Sequence, residues 1–129
     1  MKINAGTPIK RYNGRPVMVE QELYLQENCA PVMLNGAPHL TNGREMTVGD
    51  IFSTILSSKK VSQFNVLKAD VLARRFYAAG IVDIDESDYS SLVEVIDQND
   101  QFVPFVLAYA KRALIEAKEG VDTAERRQK

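Results

Sequence analysis

The densest group of acidic side chains in this chain lies between residues 83 and 88, where carboxylates could bind a calcium ion. With Asp83 at the first position of an EF-hand loop, Asp85 falls at the third and Glu94 at the twelfth, positions that usually supply ligands. The sixth position needs a glycine for the sharp turn, but Asp88 stands there. Asp85 and Asp88 also suit a helix N-terminus, whose free N–H groups and dipole favour anions. We therefore expect a capped helix and no metal site.

His39 is the only histidine and Cys29 the only cysteine, so they are the only candidates for a histidine base or a cysteine nucleophile. A histidine base needs a nucleophile and an orienting group within reach, and no serine or cysteine nucleophile motif accompanies His39. The scattered glycines form neither a P-loop nor a dinucleotide-binding fingerprint. A single cysteine also excludes an intramolecular disulfide and suits a reducing compartment. We expect no catalytic residue and no cofactor.

Basic residues occur in pairs at Lys59-Lys60, Arg74-Arg75 and Lys111-Arg112. Sixteen basic against seventeen acidic residues give a net charge of −1, without the excess of positive charge that drives nucleic-acid binding. Nucleic acid is therefore a disfavoured partner. The pairs could still converge on one face, so a small regulator that binds DNA or a host transcription or defence protein stays open as the alternative function.

The first part of the chain, residues 1–45, must fold around turns. It holds Asn-Gly pairs at Asn13-Gly14, Asn35-Gly36 and Asn42-Gly43, each typical of a type I′ turn. The first pair stands between extended-favouring residues, with Val17 to Val19 on its C-terminal side. We expect a β-hairpin there, in an arm that packs on the helical part.

From Met46 onward the sequence predicts helices with marked starts. Thr47 and Asp50 form a capping-box pattern, which predicts a first helix from Val48. Ser62 is the expected cap of a second helix, and Gly80 its left-handed terminator. A short extended link should then lead to the third helix, capped at residue 85.

The last predicted helix starts at Asn99 or Asp100, has Pro104 in its first turn, and contains nine consecutive uncharged residues, 102–110. A helix that is apolar nearly all round is either the centre of a core or a surface for another chain. Both interpretations stay open. If the second holds, the partner-binding residues are Phe102, Phe105, Leu107, Tyr109 and Ile115.

Size and composition place these elements in one globular domain of the α+β class, mostly α. With 129 residues, 45% of them hydrophobic, the chain can form a single core. We expect a hairpin arm, a compact bundle of about four helices over residues 46–120, and a flexible tail over 121–129. The longest apolar run is too short to span a bilayer and no signal peptide is visible, which predicts a soluble, cytoplasmic protein.

The order of a hairpin arm, the segment 46–52 (Met-Thr-Val-Gly-Asp-Ile-Phe), the segment 81–85 (Ile-Val-Asp-Ile-Asp) and a terminal apolar helix resembles small tailed-bacteriophage proteins. Among these it is similar to the tail assembly chaperones of long-tailed phages. The resemblance implies a non-catalytic protein of the host cytoplasm that engages tape measure and tail-tube proteins during assembly. It assigns no functional residue. The leading expectation is a non-enzymatic assembly protein that binds apolar segments of protein partners and forms homo-oligomers.

Overall fold

The computed structural model describes residues 1–20, 25, 30–38, 43–58 and 61–127, with side chains as far as Gly120. These residues form two compact units, Met1–Ile9 with Thr47–Lys129, and Lys10–Met46. Cys29, His39, Asn42, Lys59 and Lys60, which figure in the expectations above, lie outside the described residues.

The described residues form six short strands and four helices. In chain order these are β1 (Lys2–Asn4), β2 (Met18–Val19), β3 (Met33–Leu34), β4 (Ala37–Pro38), β5 (Arg44–Glu45), α1 (Val48–Ser58), α2 (Val66–Tyr77), β6 (Ile81–Asp83), α3 (Glu86–Asp97) and α4 (Pro104–Arg127). The expected α+β class, mostly α with N-terminal strands, is confirmed.

The first unit is built around a two-stranded antiparallel sheet in which Ile3 of β1 pairs with Val82 of β6. Both side chains are buried. Helix α1 packs mainly on α2, while α4 packs on β1, α1 and α3. The core of the first unit consists of side chains from every one of these elements. The largest fully buried ones are Ile3, Ile9, Val48, Ile51, Phe52, Ile55, Leu72, Phe76, Leu92 and Leu114.

Helix α1 starts at Val48 as predicted, because Asp50 caps it. The Oδ2 of Asp50 accepts hydrogen bonds from the Thr47 backbone N–H at 2.8 Å and from the Thr47 hydroxyl at 3.3 Å. The Asp50 side chain is buried, so these bonds also satisfy its carboxylate away from water.

Both predicted ends of α2 were wrong. Asn65, and not Ser62, is the N-cap, since its Oδ1 accepts a hydrogen bond from the Lys68 N–H at 2.8 Å. At the other end Ala79 takes the left-handed conformation, with φ of 58°. Gly80, the expected terminator, does not have a positive φ, and its carbonyl accepts a hydrogen bond from the Ala5 N–H just before β6.

Helix α3 starts as predicted, with Asp85 as N-cap accepting a hydrogen bond from the Asp88 N–H at 2.7 Å. Helix α4 differs from the prediction at its start. The Asn99 side chain closes a turn by accepting from the N–H groups of Gln101 and Phe102, and the helix begins only at Pro104. The helical conformation is sterically disfavoured for a residue that precedes proline, which explains why the helix starts later than predicted.

The far end of α4 also lies beyond the boundary expected from the sequence. The helix continues to Arg127, through a segment expected to be a tail. Gly120, the last residue before the expected tail, does not adopt a positive φ and so does not form a left-handed cap.

The second unit contains a two-residue hairpin at Asn35-Gly36. Asn35 has φ of 53° and Gly36 of 81°, as a type I′ turn requires, and the turn joins β3 to β4. The type I′ turn expected at Asn13-Gly14 was wrong. There only Gly14 has a positive φ.

The Asn13-Gly14 turn closes a shorter loop instead. The Arg11 N–H donates to the Arg15 carbonyl at 2.8 Å and a single bridge joins Lys10 to Pro16. The following strand, β2, pairs with β5 and not with the residues before the turn. The Asn-Gly pair therefore predicted correctly where the chain reverses direction, but not which strand pairs with β2.

Candidate protein-interaction surface

Helix α2 has one face that belongs to the core of the first unit. Its buried residues are Ala69, Leu72, Ala73 and Phe76. The Phe76 ring stacks on Phe52 of α1, with centroids 4.6 Å apart and planes 25° from parallel. This contact fixes the rotation of α2 about its axis, and with it the residues that face outward.

The solvent-exposed side of α2, which we call the α2 outer face, presents apolar side chains to solvent. Leu67 is 80% exposed, Val66 66%, Tyr77 55% and Val71 44%. Single exposed apolar residues are normal on a protein surface, but four on three turns of one helix form a patch of the kind found at interaction sites.

An ion pair lies between these apolar residues. The Arg74 Nε is 3.0 Å from the Asp70 Oδ2, one helical turn away, and both side chains are mostly exposed. An exposed pair of this kind adds little to stability. Its effect is to place one acid and one base in the middle of the α2 outer face.

Two adjoining cavities run along the groove between α1 and α2. The first has a volume of about 320 Å³ and is lined by apolar residues that include Leu56, Phe64 and Val66. The second, of about 440 Å³, is bounded by Arg74 and Tyr77. Ser57 and Asp70 line both cavities. The groove therefore continues the α2 outer face with a recess in which apolar side chains can be buried.

The sequence contained a signal for this face that the helical pattern alone did not reveal. Leu67, Val71, Leu72 and Phe76 all count as apolar positions of α2. At about 100° per residue, however, 67 and 71 point away from 72 and 76. One core contact cannot bury both pairs, so two of the four had to remain on the surface.

The residues predicted to bind a partner on α4 do not form one face. The buried stripe of α4 consists of Val106, Ala110, Ala113, Leu114 and Ala117. Leu107 borders this stripe on one side, while Phe105 and Tyr109, one turn apart, border it on the other, all three half-buried. Ile115 is 43% exposed and lies on the side opposite the stripe. Phe102 is half-buried and precedes the helix.

This placement answers whether α4 is the centre of the core. One stripe of α4 is buried, and the apolar residues outside it are partly exposed, so the helix packs on the core from one side. The extra apolar residues are spread around the helix, and Arg112 covers part of Tyr109, with its Cζ 5.5 Å from the ring centroid.

The acidic group at residues 83–88 is used in capping and ion pairs. Besides the Asp85 cap, Asp88 pairs with Lys68 at 3.1 Å and Glu86 with Lys118 at 3.8 Å. Residues 86–97 are helical, so the positions that would close a calcium loop are wound into α3. Among the described residues no three His, Cys, Asp or Glu side chains are grouped as metal ligands would be.

The basic pairs that are described lie on two different helices. Arg74 is paired with Asp70, and Lys111 with Asp97 at 2.8 Å. Arg74 and Arg75 lie on α2, while Lys111 and Arg112 lie on α4, and α4 packs on β1, α1 and α3.

No helix in the described part of the chain combines the length and apolarity needed to cross a bilayer. In comparisons with known proteins, no protein-family model matches the chain, and no curated protein or solved structure matches it significantly.

Proposed function

We propose that this chain is a non-enzymatic protein-interaction module of the assembly-chaperone type, and that it binds proteins through the α2 outer face and the groove between α1 and α2. The observation that carries the proposal is the exposure of Val66, Leu67, Val71 and Tyr77 on a helix whose other side is firmly packed. A rigid helix that exposes apolar side chains suits an amphipathic partner segment, which binds by laying its own apolar face against it.

The groove supports the same proposal because it is apolar at its floor and polar at its rim. Leu56 and Phe64 are buried, whereas Asp70 and Arg74 stand at the edge. Binding sites that combine an apolar centre with a polar rim exclude water while retaining specificity.

The more specific part of the proposal is a tail assembly chaperone of a long-tailed phage, which acts in the host cytoplasm on long helical tail components and self-associates. A chaperone of this kind needs an accessible apolar surface and no reactive centre. The α2 outer face meets the first requirement. The alternative, a small regulator that binds DNA, is less favoured because Arg74 and Lys111 have acidic partners.

Site-specific photo-crosslinking tests the proposal. A photoreactive phenylalanine analogue replaces Leu67 on the α2 outer face, and, as matched control, Arg75 on the same helix. Both residues are exposed. We expect discrete protein adducts from position 67 in cells that produce the phage tail proteins, identified by mass spectrometry and absent from position 75. Equal adducts from the two positions, or none from position 67, would overturn the proposal.

A further inference from the structure

We propose that one occupant of the α2 outer face is α2 of a second copy of this chain, paired antiparallel about a two-fold axis at the level of Leu72. The inference rests on the proposed function, since it uses the same face, and it names the partner and the register. The inference is argued from four residues that lie on the exposed side of α2: Leu67, Asp70, Arg74 and Tyr77.

These four residues form one seam along α2. Their spacing of three, four and three residues is that of alternating a and d positions in a coiled coil, and at 100° per residue they lie within an arc of about 80°. All four are exposed. Val66 and Val71 flank the seam on its two sides, and both are exposed as well. A partner helix would therefore meet a continuous, apolar-edged strip.

The order of residues along the seam is complementary to itself when the second helix runs in the opposite direction. In an isologous pair, each contact occurs twice, with the two residues exchanged between subunits. With the axis at the level of residue 72, Asp70 faces Arg74 of the partner subunit and Leu67 faces the partner's Tyr77. Two ion pairs thus form in the middle of the seam, with an apolar contact beyond each end.

The charges select this arrangement over others. A parallel pair would place Asp70 against the partner's Asp70 and Arg74 against the partner's Arg74, and like charges in contact are strongly unfavourable. A partner segment without an acid and a base four residues apart would place apolar atoms over the Asp70–Arg74 pair. A second copy supplies both charges at the required spacing.

The length of α2 limits the strength of the pairing. Three helical turns on each side bury an area near or below about 1,200 Å², the low end for specific interfaces, so the dimer should dissociate in the range of tens of micromolar, as an order of magnitude. A reversible dimer at this concentration is suited to a chaperone, because a client segment can displace the second copy.

Charge reversal at the seam tests the pairing directly. We compare the wild type, Asp70→Arg, Arg74→Asp, a 1:1 mixture of the two variants, and the double variant by sedimentation velocity over a wide concentration range. Each single variant opposes like charges and should weaken dimerisation at least tenfold. The mixture restores opposite charges in both layers and should form heterodimers, and the double variant should return to within about threefold of wild type.

Both substituted side chains are exposed, so the fold should persist, and circular dichroism checks it. A wild type that stays monomeric throughout, single variants that dimerise like the wild type, or a mixture without heterodimers would overturn the pairing.

Disulfide trapping tests the direction of the helices. The variants are made in a Cys29→Ser background, which removes the native thiol. Residues 67 and 77 of one chain are about 15 Å apart along the helix, and the Cα atoms of a disulfide lie within about 7 Å, so the two cannot be bridged within one chain. The variant Leu67→Cys/Tyr77→Cys should give covalent dimers on mild oxidation. Leu67→Cys alone should not, because the two copies of residue 67 are equally far apart. Equal trapping by the single variant would overturn the antiparallel register.

The two proposals fail in different ways. If the protein stays monomeric while position 67 crosslinks a different protein, the pairing is overturned and the proposed function stands. If position 67 gives neither dimer nor heterologous adduct, both are overturned.

Discussion

Gly49 is the residue that allows α1 and α2 to approach each other closely. A Cβ added to it would collide with the backbone carbonyl oxygen of Phe76 and lie 3.1 Å from the Ala5 Cβ. The Gly49 N–H also donates to the Ala5 carbonyl at 2.8 Å. Three segments of the first unit thus meet at a position where only hydrogen fits.

Replacing Gly49 by alanine should therefore destabilise the protein by about 2 kcal/mol or more, because a backbone carbonyl cannot relieve the collision by changing rotamer. Urea unfolding followed by circular dichroism measures this loss. The matched control is Gly120→Ala in α4, where nothing lies within 4 Å of the new methyl group, so the helix should gain up to about 1 kcal/mol. Equal midpoints for the two variants would contradict this account.

At the scale of elements, the sequence suggested α4 as the helix with an exposed apolar surface, but the structure has that surface on α2. The uncharged run at 102–110 suggested a binding surface on α4. However, α4 buries one stripe of residues, and its remaining apolar residues point in several directions. Helix α2 has fewer apolar residues, but the Phe52–Phe76 contact turns Leu67 and Val71 outward together. What matters for binding is the direction in which the residues face, and this depends on the packing of the whole unit.

Two leucines on α2 test this division. Leu72 is fully buried, so Leu72→Ala should cost about 2 to 5 kcal/mol through lost burial and the cavity left behind. Leu67→Ala removes the same atoms from an exposed site and should change the free energy of unfolding by no more than about 0.5 kcal/mol. Chemical denaturation at a protein concentration below that of dimerisation compares them. A large loss for Leu67→Ala would place that side chain in the core.

The starts of α1 and α3 could be predicted from the sequence, because caps act over three residues. Thr47 with Asp50 and Asp85 with Asp88 give direct hydrogen bonds at the expected places. The starts of α2 and α4 could not be predicted, because Ser62 and Asn65, and likewise Asn99 and Pro104, give competing local signals. The end of α2 depends on the packed unit, in which the Gly80 carbonyl accepts a hydrogen bond from the Ala5 N–H. The candidate site was missed for the same reason: exposure is a property of the packed unit.

For the whole molecule, the near-equal numbers of basic and acidic residues are accompanied by ion pairs between neighbouring side chains. Lys68, Lys111 and Lys118 each lie within 4.0 Å of an acidic side chain, on α3 in every case. These pairs join α3 to its neighbours and reduce the positive potential that a phosphate backbone would meet.

We therefore expect no retention on double-stranded DNA at about 0.15 M salt, the physiological ionic strength. A DNA-affinity column with a salt gradient measures this. Asp97→Asn releases Lys111 from its ion pair and should elute later than the wild type. Retention of the wild type with a steep dependence on salt would favour the regulator instead, because counterion release is characteristic of phosphate contacts.

The pairing of Ile3 with Val82 has a consequence for the time course of synthesis. A ribosome adds roughly 5 to 20 residues per second, so about 80 residues of separation correspond to roughly 4 to 16 seconds between the two strands. During that interval β1 has no sheet partner. The residues translated earliest in this unit are thus among the last to reach their native contacts, and a nascent chain should become resistant to protease only after β6 has emerged.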